Sequence, residues 1–256
     1  MGERTSHPPG TISWTDLTTS DLDAAKRFYG GLLGWEFEDV PIGDGQVYSM
    51  AKLRGVEAAA LSASADQPPH WNVYVTVQSA DDAAARAREL GATILLEPFD
   101  VFDAGRMTVV QDPTGAAIAA WEPRGSIGAR VVNGPGALSW ADVMTPDPDA
   151  AARFYHEWLG WTTVEVPEAH GYRVIRNGDR SNGGMQPLDP QVVGPDVPPN
   201  WFPYFGVADL DAAMAYVDEA GGRTIAGPIP VPSGAFAIVA DAQGAVCGLS
   251  AGTFDD

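Results

Sequence analysis

Cysteine is almost absent from this chain. The single Cys247 among 256 residues excludes an internal disulfide and any zinc site built from several thiolates. It sits in the strand-like run Ala245-Val246-Cys247-Gly248-Leu249 and reads as a small buried side chain, not a nucleophile. Basic residues are scarce too: 15 Lys and Arg face 34 Asp and Glu, a net charge of −19. Nucleic acid needs cations for its phosphates, and so does an anionic membrane, so both are excluded as partners. The acidic surface is read as a solubility device. No run approaches the ~20 apolar residues of a membrane span, and the N-terminus has no apolar stretch of the secretory kind. A cytoplasmic protein is expected, as monomer or homodimer. The phosphate loop, the Ser-His-Asp arrangement and the dinucleotide fingerprint are also missing.

What the sequence does contain is itself, twice. At a shift of 126, Ser13-Trp14-Thr15-Asp16 meets Ser139-Trp140-Ala141-Asp142. Asp21…Arg27-Phe28-Tyr29 meets Asp147…Arg153-Phe154-Tyr155, and Leu33-Gly34-Trp35 meets Leu159-Gly160-Trp161. Trp71, Tyr74 and Val77 meet Trp201, Tyr204 and Val207 at a shift of 130. Asp112-Pro113-Thr114-Gly115 meets Asp241-Ala242-Gln243-Gly244 at 129. Such self-similarity marks an internal duplication. Residues 8–124 form one unit and 136–253 the other, with the Gly- and Pro-containing stretch 125–135 as linker.

Each unit contains two helices. Asp21 caps a helix with Leu22, Ala25, Tyr29 and Leu32 on one face, and Gly34 ends it. Asp81 or Asp82 starts a second, with Ala83, Ala87 and Leu90 inward and Gly91 at its end. Asp211 to Gly221 repeats that helix, with Met214 and Val217 inward. Short β-type runs lie between: 47–50, 56–61, 72–77, 106–110 and 116–121. Each unit thus reads as β-α-β-β-β twice, an α+β fold.

The pattern Asp21…Ala25…Phe28-Tyr29…Leu33-Gly34-Trp35, its copy at Asp147…Ala151…Phe154-Tyr155…Leu159-Gly160-Trp161, and the Asp112-Pro113-Thr114-Gly115 turn resemble the vicinal-oxygen-chelate superfamily. Its members include glyoxalase I, bleomycin-resistance proteins and extradiol dioxygenases. The resemblance covers nearly the whole chain and implies two cups of mixed sheet with helices outside and the ligand inside. Two-domain actinobacterial members are especially similar. Metalloenzymes of the superfamily hold a divalent cation on the concave face. The matching positions here are Trp14 and Trp140, then Asn72 and Phe202, then Ala119 and Gly248. Indole, phenyl, methyl and hydrogen do not ligate such cations. The expectation is therefore no metal and no cofactor. His7, His70, His156 and His170 supply no ligand pair.

Side chains two apart on a strand share a face. Trp14 and Asp16 would then line one cup with Asn72 and Tyr74, and Trp140 and Asp142 the other with Phe202 and Tyr204. Two readings follow. Either the aromatics simply fill the cups, each Asp being held by an arginine such as Arg106 or Arg173, or they form a site. As a site, the residues suit a flat, bulky, cationic molecule, such as an anthracycline- or glycopeptide-like natural product, which the protein binds and sequesters. The alternative is a metal-independent enzyme that uses Asp16, Asp142, Tyr74 or Tyr204 as acid or base. A glyoxalase-like metalloenzyme with displaced ligands is a third, less favoured reading.

Overall fold

The computed structural model describes residues 2–167 and 169–254. After a two-residue β1 (Gly2–Glu3), the first unit runs β2 (Ile12–Thr19), α1 (Leu22–Leu33), β3 (Glu36–Gly43), β4 (Gln46–Leu53) and β5 (Val56–Ala63). It continues with β6 (His70–Thr76), α2 (Ala80–Glu89), β7 (Thr93–Val101), β8 (Gly105–Gln111) and β9 (Ala117–Pro123). Beyond β10 (Val131–Val132), the second unit repeats this as β11 (Leu138–Thr145), α3 (Pro148–Leu159), β12 (Thr162–Glu165), β13 (Arg173–Asn177) and β14 (Arg180–Pro187). After the short α4 (Pro190–Val193) come β15 (Asn200–Gly206), α5 (Leu210–Glu219), β16 (Arg223–Val231), β17 (Gly234–Ala240) and β18 (Val246–Gly252).

The first sheet has the order β3-β4-β5-β2-β6-β9-β8-β7, and the second repeats it as β12-β13-β14-β11-β15-β18-β17-β16. β2 and β6 pair antiparallel at the centre, flanked by parallel β5 and β9. Each β-α-β-β-β module therefore contributes half a sheet, as the sequence pattern implies.

Local chemistry explains the helix ends. The Asp21 carboxylate accepts from the Ala24 backbone N–H, and Gly34 closes α1 at φ 72°. Asp147 and Gly160 repeat this around α3. The starts of the other two helices differ from expectation. Ser79, not Asp81 or Asp82, caps α2. Asp209, not Asp211, caps α5. The later aspartates lie in the first turn, where the positive helix end favours them without their capping.

The central strands bury both faces. Leu17 and Trp71 join a core that contains α1 residues Ala25, Phe28 and Tyr29 and extends to Phe205, Val217, Cys247 and Leu249 of the second unit. Val73, Val75 and Ile118 join another, with Phe154, Tyr155, Trp158, Trp161 and Trp201. Both helix-side cores are thus shared between units. Reciprocal hydrogen bonds stitch them together. Tyr29 donates to the Asp241 carboxylate and accepts from the Trp71 indole, at 3.1 Å each. Tyr155 donates to Asp112 at 2.8 Å and accepts from Trp201 at 2.7 Å. Trp35 donates to the Gly136 carbonyl, and Trp161 to that of Gly10. Cys247 is fully buried here, and burial pushes its thiol well up, which suits a structural side chain.

The 125–135 stretch between the units is packed. Ala129, Val131 and Val132 are buried. The Ala129 N–H donates to the Ser13 carbonyl and that of Arg130 to Glu57. β10 pairs with both β1 and β11.

Candidate functional site: two carboxylate-centred cups

The concave faces carry the other side of β2 and β11. Trp14 and Tyr74 pack with Met107, Ala119 and Trp121 in a cluster that contains no helix residue. The strand register sets Trp14 opposite Tyr74 and Asp16 opposite Asn72. In the second unit Trp140 lies opposite Tyr204, and Asp142 opposite Phe202.

Asp16 is 6% exposed. Its Oδ2 accepts from the hydroxyls of Tyr74 at 2.7 Å and Tyr48 at 2.9 Å, and its Oδ1 from the Asn72 amide at 2.8 Å. The Trp14 indole N–H donates to Tyr48 Oη at 3.1 Å. Asp142 is 3% exposed. Its Oδ1 accepts from Tyr172 at 2.9 Å and from the Trp140 indole at 2.8 Å, and its Oδ2 accepts from Tyr204 at 2.8 Å. Phe202 stacks obliquely on Tyr204, with ring centroids 5.2 Å apart, and contributes no polar group. All eight residues singled out from the sequence thus lie on the two concave faces.

Tyr48 and Tyr172 complete the sites and were not anticipated. Tyr172 stands 124 residues after Tyr48, an offset that none of the matched repeat segments shares. The alternation of β4 does show Tyr48 on one face, but its neighbour across the sheet is fixed only by the strand order.

The arginine-locked alternative does not describe these carboxylates. Arg106 pairs with Asp81 and Asp100, and Arg173 with Asp149. Among the described residues no ion pair includes Asp16 or Asp142. Burial outweighs the hydroxyl donors and lifts both carboxyls above the usual range, that of Asp142 to about 6. Burial, followed by the adjacent carboxylate, pushes Tyr74, Tyr172 and Tyr204 upward. Each cup is therefore a hydroxyl cradle around an acid without an ion pair among the described residues, and at Asp16 the charge of His70 favours the ionised form.

The residues do not fit a divalent cation. The metal-ligand positions carry indole, amide, phenyl, methyl and hydrogen. Each cup offers one carboxylate, already holding three donors. Among the described residues no three His, Cys, Asp or Glu side chains converge. At Gly248 a side chain would run into the Tyr204 ring, so a glutamate cannot replace it without displacing that ring.

Two cavities lie away from the cups, between α1 and α5 at the junction of the units. They measure about 260 and 360 Å³ and share Tyr216. Apolar and small residues dominate their walls, with none of the converging hydroxyls of the cups.

Two tandem cup-shaped sheets, each with its helices on the convex side, define a duplicated α+β domain protein. The family model of the Glyoxalase/Bleomycin resistance protein/Dioxygenase superfamily matches residues 11–120 and again 137–247, and the chain belongs to this superfamily. It is 41% identical over 255 residues, 96% of each chain, to CFP32 of Mycobacterium tuberculosis (strain CDC 1551 / Oshkosh), which carries a provisional glyoxylase name. It is 32% identical over 262 residues to the anthracycline biosynthesis protein DnrV of Streptomyces peucetius, covering 94% of this chain and 93% of DnrV. Among solved structures, the Mn(II)-bound glyoxalase of Novosphingobium aromaticivorans superposes with a TM-score of 0.68 at 16% identity, covering 95% of this chain and 82% of that one. The 2,3-dioxygenase LapB of Pseudomonas sp. KL28 gives 0.67 at 13%, covering 96% and 94%. These likenesses concern the fold. No helix among the described residues is long and apolar enough to cross a membrane.

Proposed function

We propose that the chain is a small-molecule-binding protein that takes a planar aromatic natural product with a cationic group, of the anthracycline kind, into a cup and holds it without metal. The observation that carries this reading is a buried, cation-free carboxylate ringed by Trp and Tyr on the concave face. An unpaired buried acid is costly, and a ligand ammonium would relieve that cost while its rings cover the aromatics. The 32% identity to an anthracycline biosynthesis protein points to the same ligand class. The cytoplasm is the proposed compartment, and a monomer or homodimer the proposed state.

The second reading is a metal-independent enzyme acting on such a compound. It is favoured by the Asp142 carboxyl near 6, a value suited to proton transfer near neutral pH.

Tryptophan fluorescence titration with doxorubicin, an anthracycline with a protonated amino sugar, tests binding. Saturable quenching that survives EDTA supports it, and either no quenching or loss of binding with chelator contradicts it. Recovery of the compound unchanged after prolonged incubation favours sequestration, whereas a new product formed without added metal favours the enzyme.

A further inference from the structure

The two cups are copies, with floors buried to a similar degree, yet their rims differ. In the first, Trp14, Met107 and Trp121 are all buried, at 7%, 9% and 8% exposure. Trp121 donates its indole N–H to the Ser126 carbonyl at 3.0 Å, and Ala129 and Val132 pack into the same cluster as Trp14 and Tyr74. The segment after β9 thus closes over the indoles. Gly128 makes this approach possible: at φ 92°, any side chain there would strike the Ser13 carbonyl.

The second cup lacks a counterpart of Trp121, while Phe254 lies beside Gly206, two residues beyond Tyr204. Ser250 stands where the repeat places Trp121, paired across strands with Phe236 as Trp121 is with Met107. Trp140, Phe236 and Ser250 are all partly exposed. The floor differs as well. Opposite Asp16 and Tyr74 lie Ala60 and Ala119, whereas opposite Asp142 and Tyr204 lie Gly184 and Gly248. A Cβ at either glycine would collide with the Tyr172 hydroxyl or the Tyr204 ring, so the two tyrosines lie directly over the glycines of the floor. Each acid has one oxygen with a single donor, Oδ1 of Asp16 from Asn72 and Oδ2 of Asp142 from Tyr204, so the acceptor that remains in the second cup lies beside Tyr204.

We propose that the second cup is the working site, and that the first is a filled counterpart in which Trp121 and residues 126–132 occupy the room a ligand takes over Trp140. The inference rests on the binding reading above and names its place. The ligand's rings lie against Trp140, Tyr204 and Phe236, and its ammonium reaches Oδ2 of Asp142.

The full chain is titrated with doxorubicin and with its amine-free aglycone. Asp142→Asn is expected to weaken doxorubicin at least about five-fold more than Asp16→Asn does, and to leave the aglycone within about two-fold. Ser250→Trp refills the cup and is expected to weaken both compounds by about ten-fold or more. Because a bulky variant can misfold, the wild type is also footprinted without ligand by hydroxyl radicals. Trp140 should oxidise several-fold faster than Trp14. The proposal is overturned if Asp16→Asn costs as much as Asp142→Asn, or if Trp14 oxidises as fast as Trp140. Wild-type binding that is indifferent to the second-cup variants overturns this inference alone, whereas no wild-type binding of either compound overturns the binding reading with it.

Discussion

At the residue scale, Asp142 titrates differently folded and unfolded. Its ordinary value is 3.8, and burial lifts it to about 6. A raised folded value means that the native state holds the proton more tightly. The corresponding stability is fully present below 3.8 and is lost as pH rises through about 6. Two units correspond to on the order of 3 kcal/mol. Exposed acids such as Asp81 and Asp100, held low by hydrogen bonds from Arg106, act in the opposite sense, so the informative quantity is a difference. Urea unfolding between pH 4 and 7 should show the wild type losing stability relative to Asp142→Asn, and a difference that does not change with pH contradicts the assignment. A second residue-level expectation concerns Tyr155. Tyr155→Phe strands the Trp201 N–H and removes a donor from Asp112. It should cost about 1–3 kcal/mol in the same assay, and a loss below about 0.5 kcal/mol would mean that water replaces the hydroxyl.

At the scale of elements, the helix boundaries were largely legible because the signals are local. Asp147 is an N-cap by sequence and by structure, and Asp147→Ala should cost about 1 kcal/mol, measured as a shift in the unfolding midpoint. Ser79 is less legible as the cap of α2, because Asp81 and Asp82 just after it can also cap. In the first unit β4, β5, β6, β8 and β9 were legible from Gly and Pro punctuation, whereas β3 and β7 lie outside the expected runs; β1 and β10 were not legible either, because two-residue strands have no period to read. The 125–135 stretch, read as the linker, holds contacts that its composition does not reveal. Its glycines resemble flexible tether, whereas Gly128 serves close packing against Ser13. Gly128→Ala should therefore destabilise the chain by more than about 1 kcal/mol. A neutral outcome would mean that the close approach to Ser13 is not needed. Of the cups, Trp and Asp on β2 and β11 could be read from alternation, while Tyr48 and Tyr172 arrive from strands whose neighbours depend on sheet order.

At the scale of the whole molecule, duplication did more than copy a cup. The helix-side cores each draw residues from both units, and the Tyr29–Asp241 and Tyr155–Asp112 bonds tie each unit to the other's turn. A fragment spanning 136–254 would expose the apolar faces that these cores cover. The intact chain should unfold in one calorimetric transition, and the fragment should fail to give dispersed amide resonances as a monomer. Two separate transitions would show that the units are energetically independent.

This shared core makes the two cups rigid partners and leaves the difference between them to the fillers on their concave faces. The measurement that tests the account most directly is a crystal structure of the full chain with doxorubicin. The account predicts the tetracycle in the second cup, its rings against Trp140 and Tyr204 and its ammonium within hydrogen-bond distance of Asp142 Oδ2. Ligand density confined to the first cup or to the cleft beside Tyr216, or a metal ion bound between drug and protein, would contradict it.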